Sequence, residues 1–586
     1  MCYGFVFSSL VWAGETENFK VKDISFQGNR ILKTRILKNQ MLTRSPGFLS
    51  SHVFHPNVFD EDLKAIEQFY QNNGFLDVQI LGYKILKDSV NHQVSLNIAV
   101  DEGEQYLVEG FSLFGNQDVS DSLLALQIVL HKNRPLTQKD LSRSFDNIVK
   151  VYHSLGYVDL QLTTELRIQT ENHRAIVDFM IQENARYTIG QIRIQGIDRT
   201  RPKAVFRELR FQSGDFLNMK EIMESQRKLY LTGLFQNVFI SQQPSQETET
   251  PAKDILIEVK ENLAGEINTS AGFGSLDKLR CRLEILHQNI SGLGRKAGIQ
   301  LHASFIERSA SFSLSEPWTF GTRFRTDVTL LTEQREETAF SLNRQKAMLT
   351  IGRKWGRYSN ISSTWQRQAV RLNEIKVADI PASDKKNIRS VLLKYTFDSR
   401  DNIFNSKNGV YYEFSQELGG DFNTELTAFY RMIHRIKVFH SPCPSTVISS
   451  AFEVGWISAK HGIAAVPLQE RFYTGGPNSI RGFKYQGAGP LDINQNPIGG
   501  QFKVVWNILE LRRRVYKMAG IALFLDAGNV WTKPEQATLS SLHFCPGTGL
   551  RMDTPIGVAR LDIGFKTDKT LDKIDYRVHF NIGQAF

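Results

Sequence analysis

The sequence predicts three small α+β modules followed by a 16-stranded antiparallel transmembrane β-barrel. Residues 19–262 repeat one β-α-α-β-β pattern three times, with a period of about eighty residues that is typical of modular arrays. From Gly265 to the end, helical periodicity gives way to strand alternation with short turns. Since no uncharged apolar run is long enough for a spanning helix, insertion into a membrane requires a barrel.

Composition excludes several classes of function. The 71 Lys and Arg residues exceed the 61 Asp and Glu residues, giving a net charge of +10. These charges form no dense basic run, so nucleic acid is not expected as a partner. The four cysteines are widely spaced, without a C-x-x-C pair or a His/Cys cluster, so we expect no metal, no cofactor and no disulfide framework. They are Cys2, Cys281, Cys443 and Cys545.

Residues 1–18 form a signal-like or disordered N-terminus. The apolar run at residues 5–13 resembles the last part of a secretory signal and is followed by polar residues. A positive n-region is absent, and residues 11–13 are a poor small-x-small cleavage site. The alternative is a lightly packed apolar tail. Export is favoured because the rest of the chain calls for an outer membrane.

Each repeat opens with an alternating strand that ends in a glycine turn and continues into a helical stretch, at residues 33–42 in the first module and 202–209 in the third. A second helix with apolar residues at helical spacing follows, and it ends near glycine. Two strands close the repeat. The module bounds are 19–104, 105–184 and 185–262, and the second helices are expected at 60–73, 138–155 and 219–232.

Each predicted module has a small sheet with an unpaired edge. Such an edge can accept an extended segment of another chain by strand addition. The alternative is that the modules are spacers only.

Residues 265–586 form the predicted barrel. In residues 296–306, Ile299, Leu301, Ala303 and Phe305 alternate with polar residues, so one face meets lipid and the other a polar lumen. Counting such segments gives roughly sixteen strands, and an even number places both ends of the barrel on the periplasmic side. A soluble β-sandwich is disfavoured by the strand number and by the final residue, Phe586.

Residues 471–490 are too rich in glycine and proline for a helix or strand. They also carry bulky and basic groups such as Phe472, Tyr473 and Arg481, which a flexible linker lacks. The sequence therefore predicts a long ordered loop with residues 479–483 at its tip. The alternative is a surface loop with a chance Arg-Gly-Phe.

Motifs in a fixed order connect the chain to a family. The β-α-α-β-β repeat resembles the POTRA module, and the later motifs resemble those of BamA/TamA-type outer-membrane assembly proteins. They are a D-x-R-D-N turn with Asp398, Arg400 and Asp401, a loop motif with Arg481, Gly482 and Phe483, an F-x-D-x-G strand with Phe524 and Asp526, a Gly549-Leu550-Arg551 segment, and a terminal strand with Phe580, Gly583 and Phe586.

The resemblance implies a factor that inserts or translocates other outer-membrane β-barrel proteins or autotransporters. The implied partners are unfolded clients, outer-membrane lipid, and either a periplasm-spanning protein anchored in the inner membrane or accessory lipoproteins. Three modules point towards the TamA type. A secretion pore for a dedicated partner and a passive channel remain alternatives, and no enzymatic motif is present.

Alternation places Phe524 and Asp526 on the face opposite Leu523 and Leu525, and Glu510 on the face opposite its leucine neighbours. The resemblance implies that Arg481 contacts Phe524 and Asp526, with Glu510 at the family's acidic position. Arginine offers a planar fork of donors that suits a carboxylate. The alternative for each acid is a solvated charge in the lumen. Phe586, with Phe580 and Gly583, is expected to be a terminal signal.

Overall fold

The computed structural model describes residues 19–46, 52–245, 251–378, 384–421, 428–554, 557–567 and 575–582. The chain forms two compact units. One extends to Gln195 and includes Glu208–Lys228 and Val238–Glu258, and the other comprises Gly196–Arg207, Leu229–Asn237 and Val259–Phe586. Within the described ranges, no helix combines the length and the apolar character needed to cross a membrane.

The first half of the chain contains three three-stranded sheets, each with its last strand in the centre, parallel to the first strand. The elements of the first are β1 Lys20–Gln27, α1 Thr34–Lys38, α2 Pro56–Asn72, β2 Gln79–Asp88 and β3 Gln93–Asp101. Those of the second are β4 Leu107–Phe114, α3 Asp121–Ala125, α4 Gln138–Leu155, β5 Gln161–Gln169 and β6 Arg174–Gln182. Those of the third are β7 Thr188–Gln195, α5 Pro202–Phe206, α6 Met219–Leu231, β8 Phe235–Pro244 and β9 Ala252–Glu261.

The predicted helix bounds need two corrections. The first helix of each module is a single turn of five residues. After α1 the chain continues in tighter turns, with the Asn39 amide donating to the Ile36 carbonyl at 3.2 Å, so the predicted helix at 33–42 does not persist. Helix α2 begins at Pro56, four residues before the predicted start, because proline fits the first helical position, where no amide donor is needed.

A buried tyrosine–glutamate pair connects the second helix to the residue that follows the last strand in two modules. The Tyr70 hydroxyl donates to Glu102 at 2.9 Å, and the Tyr152 hydroxyl donates to Glu183 at 2.7 Å. Burial, together with the neighbouring carboxylate, raises the pKa of both phenols. Tyr70 and Tyr152 each lie four residues before the glycine that ends their helix. In the third module this position is occupied by Leu229, which is also buried.

The same glutamates accept backbone amides from the turn that follows the first strand. Glu102 accepts the amides of residues 30–32, and Glu183 accepts those of Asp118 and Val119. In the third module Glu261 accepts the amides of residues 198–200. One carboxylate therefore satisfies several donors that the turn leaves without partners.

We expect Glu183→Ala to lower the stability of the second module by about 1–3 kcal/mol, because it leaves buried donors unsatisfied. Hydrogen exchange of the full-length protein should then show faster exchange in β4, α4 and β6. Glu165→Ala is the control, since Glu165 is exposed on β5. Equal exchange in the two variants would contradict this role of Glu183.

The second half of the chain is a closed barrel of sixteen antiparallel strands, which confirms the predicted fold class. The strands are β10 Gly265–Gly274, β11 Lys278–Ile290, β12 Arg295–Ser304, β13 Glu307–Glu316, β14 Arg325–Glu336, β15 Ser341–Trp355, β16 Ser359–Asn373, β17 Asp384–Asp398, β18 Gly409–Gly420, β19 Phe429–Cys443, β20 Thr446–Ala459, β21 Phe502–Tyr516, β22 Ala519–Trp531, β23 His543–Thr554, β24 Gly557–Lys566 and β25 Asp575–Ile582.

The structure describes part of the junction between the first and last barrel strands. Among the described residues, β10 pairs with β25 only at Phe273↔Ile582 and Gly274↔Asn581. By contrast, β15 pairs with β16 along its whole length from Ser341 to Trp355. In the same register, residues 269–272 of β10 would stand opposite residues 583–586, which lie outside the described residues.

Of the three predicted terminal-signal residues, Phe580 lies on β25, and its ring centroid is 6.2 Å from that of Phe273 on β10. Gly583 and Phe586 lie outside the described residues.

Candidate functional site

The loop between β20 and β21 occupies the barrel interior with a densely packed tip. Ile480, Phe483 and Ala488 are buried and pack with Cys545 of β23. Gly475 and Gly476 adopt φ of 108° and 107°, a conformation that side chains other than glycine rarely adopt, and they let the chain reverse before the tip. A loop with this much burial is an ordered part of the barrel.

Arg481 at the tip is bound to the wall by its full donor fork. Its Nε and Nη2 donate to the two oxygens of Asp526 at 2.8 Å each, and its backbone amide donates to the same carboxylate at 3.2 Å. Its Nη1 donates to Glu510 at 2.7 Å. Arg481 is 5% exposed and Asp526 0%, so this pair is buried and not solvated.

The ring of Phe524 completes the contact that the resemblance implied. The Arg481 guanidinium carbon lies 3.4 Å from the Phe524 ring centroid, which is a cation–π geometry. The structure therefore brings together four of the predicted site residues: Arg481, Glu510, Phe524 and Asp526. Gly482 and Phe483 follow Arg481 in the buried tip.

Two further charged residues extend the network. Asp562 of β24 lies 3.7 Å from Arg481 Nη1, and Arg551 of β23 donates to Asp562 at 2.6 Å. Arg551 also lies 3.6 Å from Glu510. The loop tip is thus joined to β21, β22, β23 and β24 at one level of the barrel. Asp562 was not predicted, because alternation alone does not single out one inward acid among many.

Asn507 of β21 is a site residue that strand alternation misses. Its side-chain amide donates to Asp526 at 2.8 Å and to the Ser479 carbonyl at 3.0 Å. Strict alternation would place it on the same face as Leu509, which is exposed to lipid. A register shift between Asn507 and Leu509 lets Asn507 and Glu510 both point inward.

Glycines on the wall let the loop backbone approach closely. A Cβ added to Gly564 of β24 would lie 2.6 Å from the Arg481 carbonyl carbon. One added to Gly547 of β23 would overlap the Phe524 ring. His579 of β25 completes the contact through an Nε2 atom 3.0 Å from the Arg481 carbonyl oxygen. The last strand therefore touches the loop tip.

The start of the loop has its own anchor. Glu470 is buried and accepts from Gln368 of β16 at 2.7 Å and from Arg431 of β19 at 2.9 Å. Arg431 also pairs with Glu417 of β18. The loop is therefore held at two separate places on the wall, one at β16, β18 and β19 and the other at β21–β24.

The D-x-R-D-N turn lies at the end of the barrel where β10 begins. Arg400 makes a two-pronged contact with Asp398 at 2.8 and 2.7 Å, and Asp401 accepts the amides of Asn402, Lys407 and Asn408. Arg512 of β21 donates to the Ser406 carbonyl at 2.7 Å, which ties the turn to the barrel interior. The turn motif does not contact Arg481 and is a separate feature.

No group of three or more His, Cys, Asp and Glu side chains in the described part of the chain could hold a metal ion. The acids around Arg481 are held by arginine and asparagine donors. Such an arrangement fixes the position of a loop.

Comparison with known families gives two matches. The Omp85 superfamily domain matches residues 289–586. The POTRA family, described as a surface antigen variable number repeat, matches residues 19–103, 106–184 and 187–262.

Curated relatives cover most of the chain. Outer membrane protein assembly factor BamA of Nitratidesulfovibrio vulgaris is 23% identical over 591 residues, which covers 98% of this chain and 74% of the relative. The protein of the same name from Neisseria meningitidis serogroup B is 23% identical over 571 residues, covering 88% and 69%. These relatives carry the BamA name, and the number of modules is the one observation that favours the TamA type.

A solved structure shares the fold. The crystal structure of BamA from Haemophilus ducreyi lacking POTRA domains 1–3 matches with a TM-score of 0.66 and 18% identity. The match covers 82% of this chain and all of that one.

Proposed function

This chain belongs to the Omp85 superfamily, and we propose that it inserts other β-barrel proteins into the outer membrane or translocates them across it. The relatives named BamA are outer-membrane assembly factors, and they support this activity over most of the chain. The chain is an outer-membrane protein with its POTRA modules in the periplasm.

The observation that carries the proposal is the contact between the two ends of the barrel, where β10 and β25 pair at Phe273↔Ile582 and Gly274↔Asn581 among the described residues. Backbone groups that are unsatisfied in lipid cost several kcal/mol each, roughly, so opening of this ladder would expose strand edges that favour addition of another strand. A client strand that pairs there gains hydrogen bonds without a chemical step, so the proposed activity is not enzymatic.

The modules are the proposed contact surface for partners. The second of the three strands along each module's sequence lies at the edge of its sheet. These edge strands are β2, β5 and β8. An extended segment of an unfolded client can pair with such an edge. The other proposed partners are outer-membrane lipid and either accessory lipoproteins or a periplasm-spanning protein anchored in the inner membrane.

Reconstitution tests the function directly. The purified full-length protein in liposomes should raise the rate at which an unfolded outer-membrane barrel protein folds. The control is liposomes prepared with the full-length protein after it has been denatured by heat. Equal rates would refute the assembly function. A secretion pore would instead move a partner across the membrane without folding it, and a passive channel would conduct small solutes without changing the folding rate.

The topology predicts where a protease can reach. A cleavage site inserted after Val90, in the exposed β2–β3 turn, should be cut only after the outer membrane is permeabilised. A site after Leu539, exposed between β22 and β23 at the end opposite the start of β10, should be cut in intact cells. Cleavage after Val90 in intact cells would contradict a periplasmic location of the modules.

A further inference from the structure

The lipid-facing surface of β16 and β17 changes from apolar to basic part-way along the barrel. Trp365 of β16 stands opposite Val391 of β17 in the apolar band. The next outward-facing pair towards the extracellular end is Arg367 opposite Arg389. Two outward-facing positions further along, Arg371 stands opposite Lys385. All four basic residues are exposed.

Their neighbours show that these four side chains point away from the lumen. Gln366 and Ser390, each adjacent in sequence to one of the arginines, hydrogen bond to Glu417 inside the barrel at 2.9 and 2.7 Å. Because successive side chains of a strand face opposite sides, Arg367 and Arg389 face outward.

Two like-charged pairs on one lipid-facing surface destabilise the barrel when no anion lies between their members. Like charges directly opposite each other destabilise a sheet, and cationic residues on a barrel's lipid face add a cost that depends on depth. Within the described part of the chain, none of the four forms an ion pair with an acidic side chain. An anion between the members of each pair would remove this repulsion.

The surface beside Arg367 is also shaped to receive apolar chains. One groove of about 690 Å³ is lined by Ile299, Phe312, Leu330 and Arg367 among others. A second, of about 450 Å³, is lined by Leu349, Trp365, Arg367 and Arg389 among others. Each groove thus combines apolar walls with a guanidinium, which suits an amphipathic ligand with an anionic head.

We propose that this face binds a lipid of the outer leaflet that carries two phosphates on its headgroup. One phosphate lies between Arg367 and Arg389, the second between Arg371 and Lys385, and the acyl chains lie along the two grooves. The pairs are four residues apart on each strand, or about 13 Å at the strand rise. Arginine suits phosphate because its planar donors match the oxygens of the anion.

The test measures binding of diphosphorylated lipid A to the purified full-length protein in an uncharged detergent. We expect Arg367→Gln/Arg389→Gln to weaken binding about tenfold or more, because two charge-assisted contacts are removed. Arg353→Gln/Arg357→Gln, at the other end of β15 and β16, removes the same charge and should bind like the wild type. Unchanged binding by the first double variant would overturn the proposal.

Comparing the binding of different lipids identifies the ligand. Lipid A stripped of both phosphates, and phosphatidylglycerol with a single phosphate, should each bind the wild type more weakly than the diphosphorylated form. Binding of phosphatidylglycerol that is as tight as that of lipid A would contradict an outer-leaflet ligand with two phosphates.

Thermal melting separates ligand binding from a fold defect. Without lipid, Arg367→Gln/Arg389→Gln should melt no lower than the wild type, because a repulsive pair is gone. With diphosphorylated lipid A the order should reverse, since only the wild type gains stability from the ligand. A variant that melts lower in both conditions would show that the two arginines support the fold and would refute the site.

Discussion

Arg481→Ala should abolish most client assembly while lowering the amount of the protein itself much less. The substitution leaves the Asp526 carboxylate buried, with Asn507 as its remaining side-chain donor. Breaking a buried pair from one side costs about 3–5 kcal/mol, which is enough to release the loop tip from the wall. The measurement is the folded amount of a client barrel in cells that depend on the variant.

Three comparisons sharpen this test. Arg481→Lys should rescue poorly, because an ammonium cannot engage both oxygens of Asp526. Arg325→Ala is the matched control, since the Arg325–Asp327 pair is exposed and lies away from the loop.

If Arg481 and Asp526 form one latch, Arg481→Ala/Asp526→Ala should be about as defective as the worse single variant. Additive defects, or wild-type assembly by Arg481→Ala, would rule the latch out.

Gly564→Ala should reproduce the Arg481 defect without removing any charge. The added Cβ would lie 2.6–2.7 Å from Arg481 and Gly482 backbone atoms. Overpacking of this kind costs about 1–3 kcal/mol, and the loop tip is the part that can yield by moving away. The same client-assembly measurement applies.

The control for Gly564→Ala is Gly110→Ala. Gly110 is also a strand glycine, and no heavy atom lies within 4 Å of its added Cβ. The Gly110→Ala variant should assemble clients normally. Normal assembly by Gly564→Ala would mean that the loop tolerates displacement and that its close contact with β24 is dispensable.

Strand alternation predicted the barrel because the period of two follows directly from backbone geometry and holds along most of the barrel strands. It also placed Glu510 and Asp526 on the inner face. It failed at Asn507, where a one-residue register shift reverses the parity. Such an irregularity depends on pairing with β20 and β22, which the β21 segment does not encode alone.

The burial of the acidic side chains was the second property that the sequence did not reveal. The acids could have been solvated lumen charges, and the pattern of residues does not distinguish these from buried ones. Burial of Asp526 arises because the loop tip covers it, a contact between residues 45 positions apart. The Glu470 anchor likewise joins residues more than a hundred positions apart through Gln368. Long-range packing of this kind leaves no local pattern in the sequence.

The strand lengths given above also determine how the surrounding bilayer is deformed. Strands β10, β12 and β13 have 10 residues each, whereas β15 and β16 have 15 each. Five residues correspond to about 17 Å along a strand, or about 12–13 Å along the bilayer normal at the usual tilt. Lipids beside the short strands must thin to match them. The elastic strain is therefore uneven around the barrel, and lipids beside β10, β12 and β13 are compressed more than those beside β15 and β16.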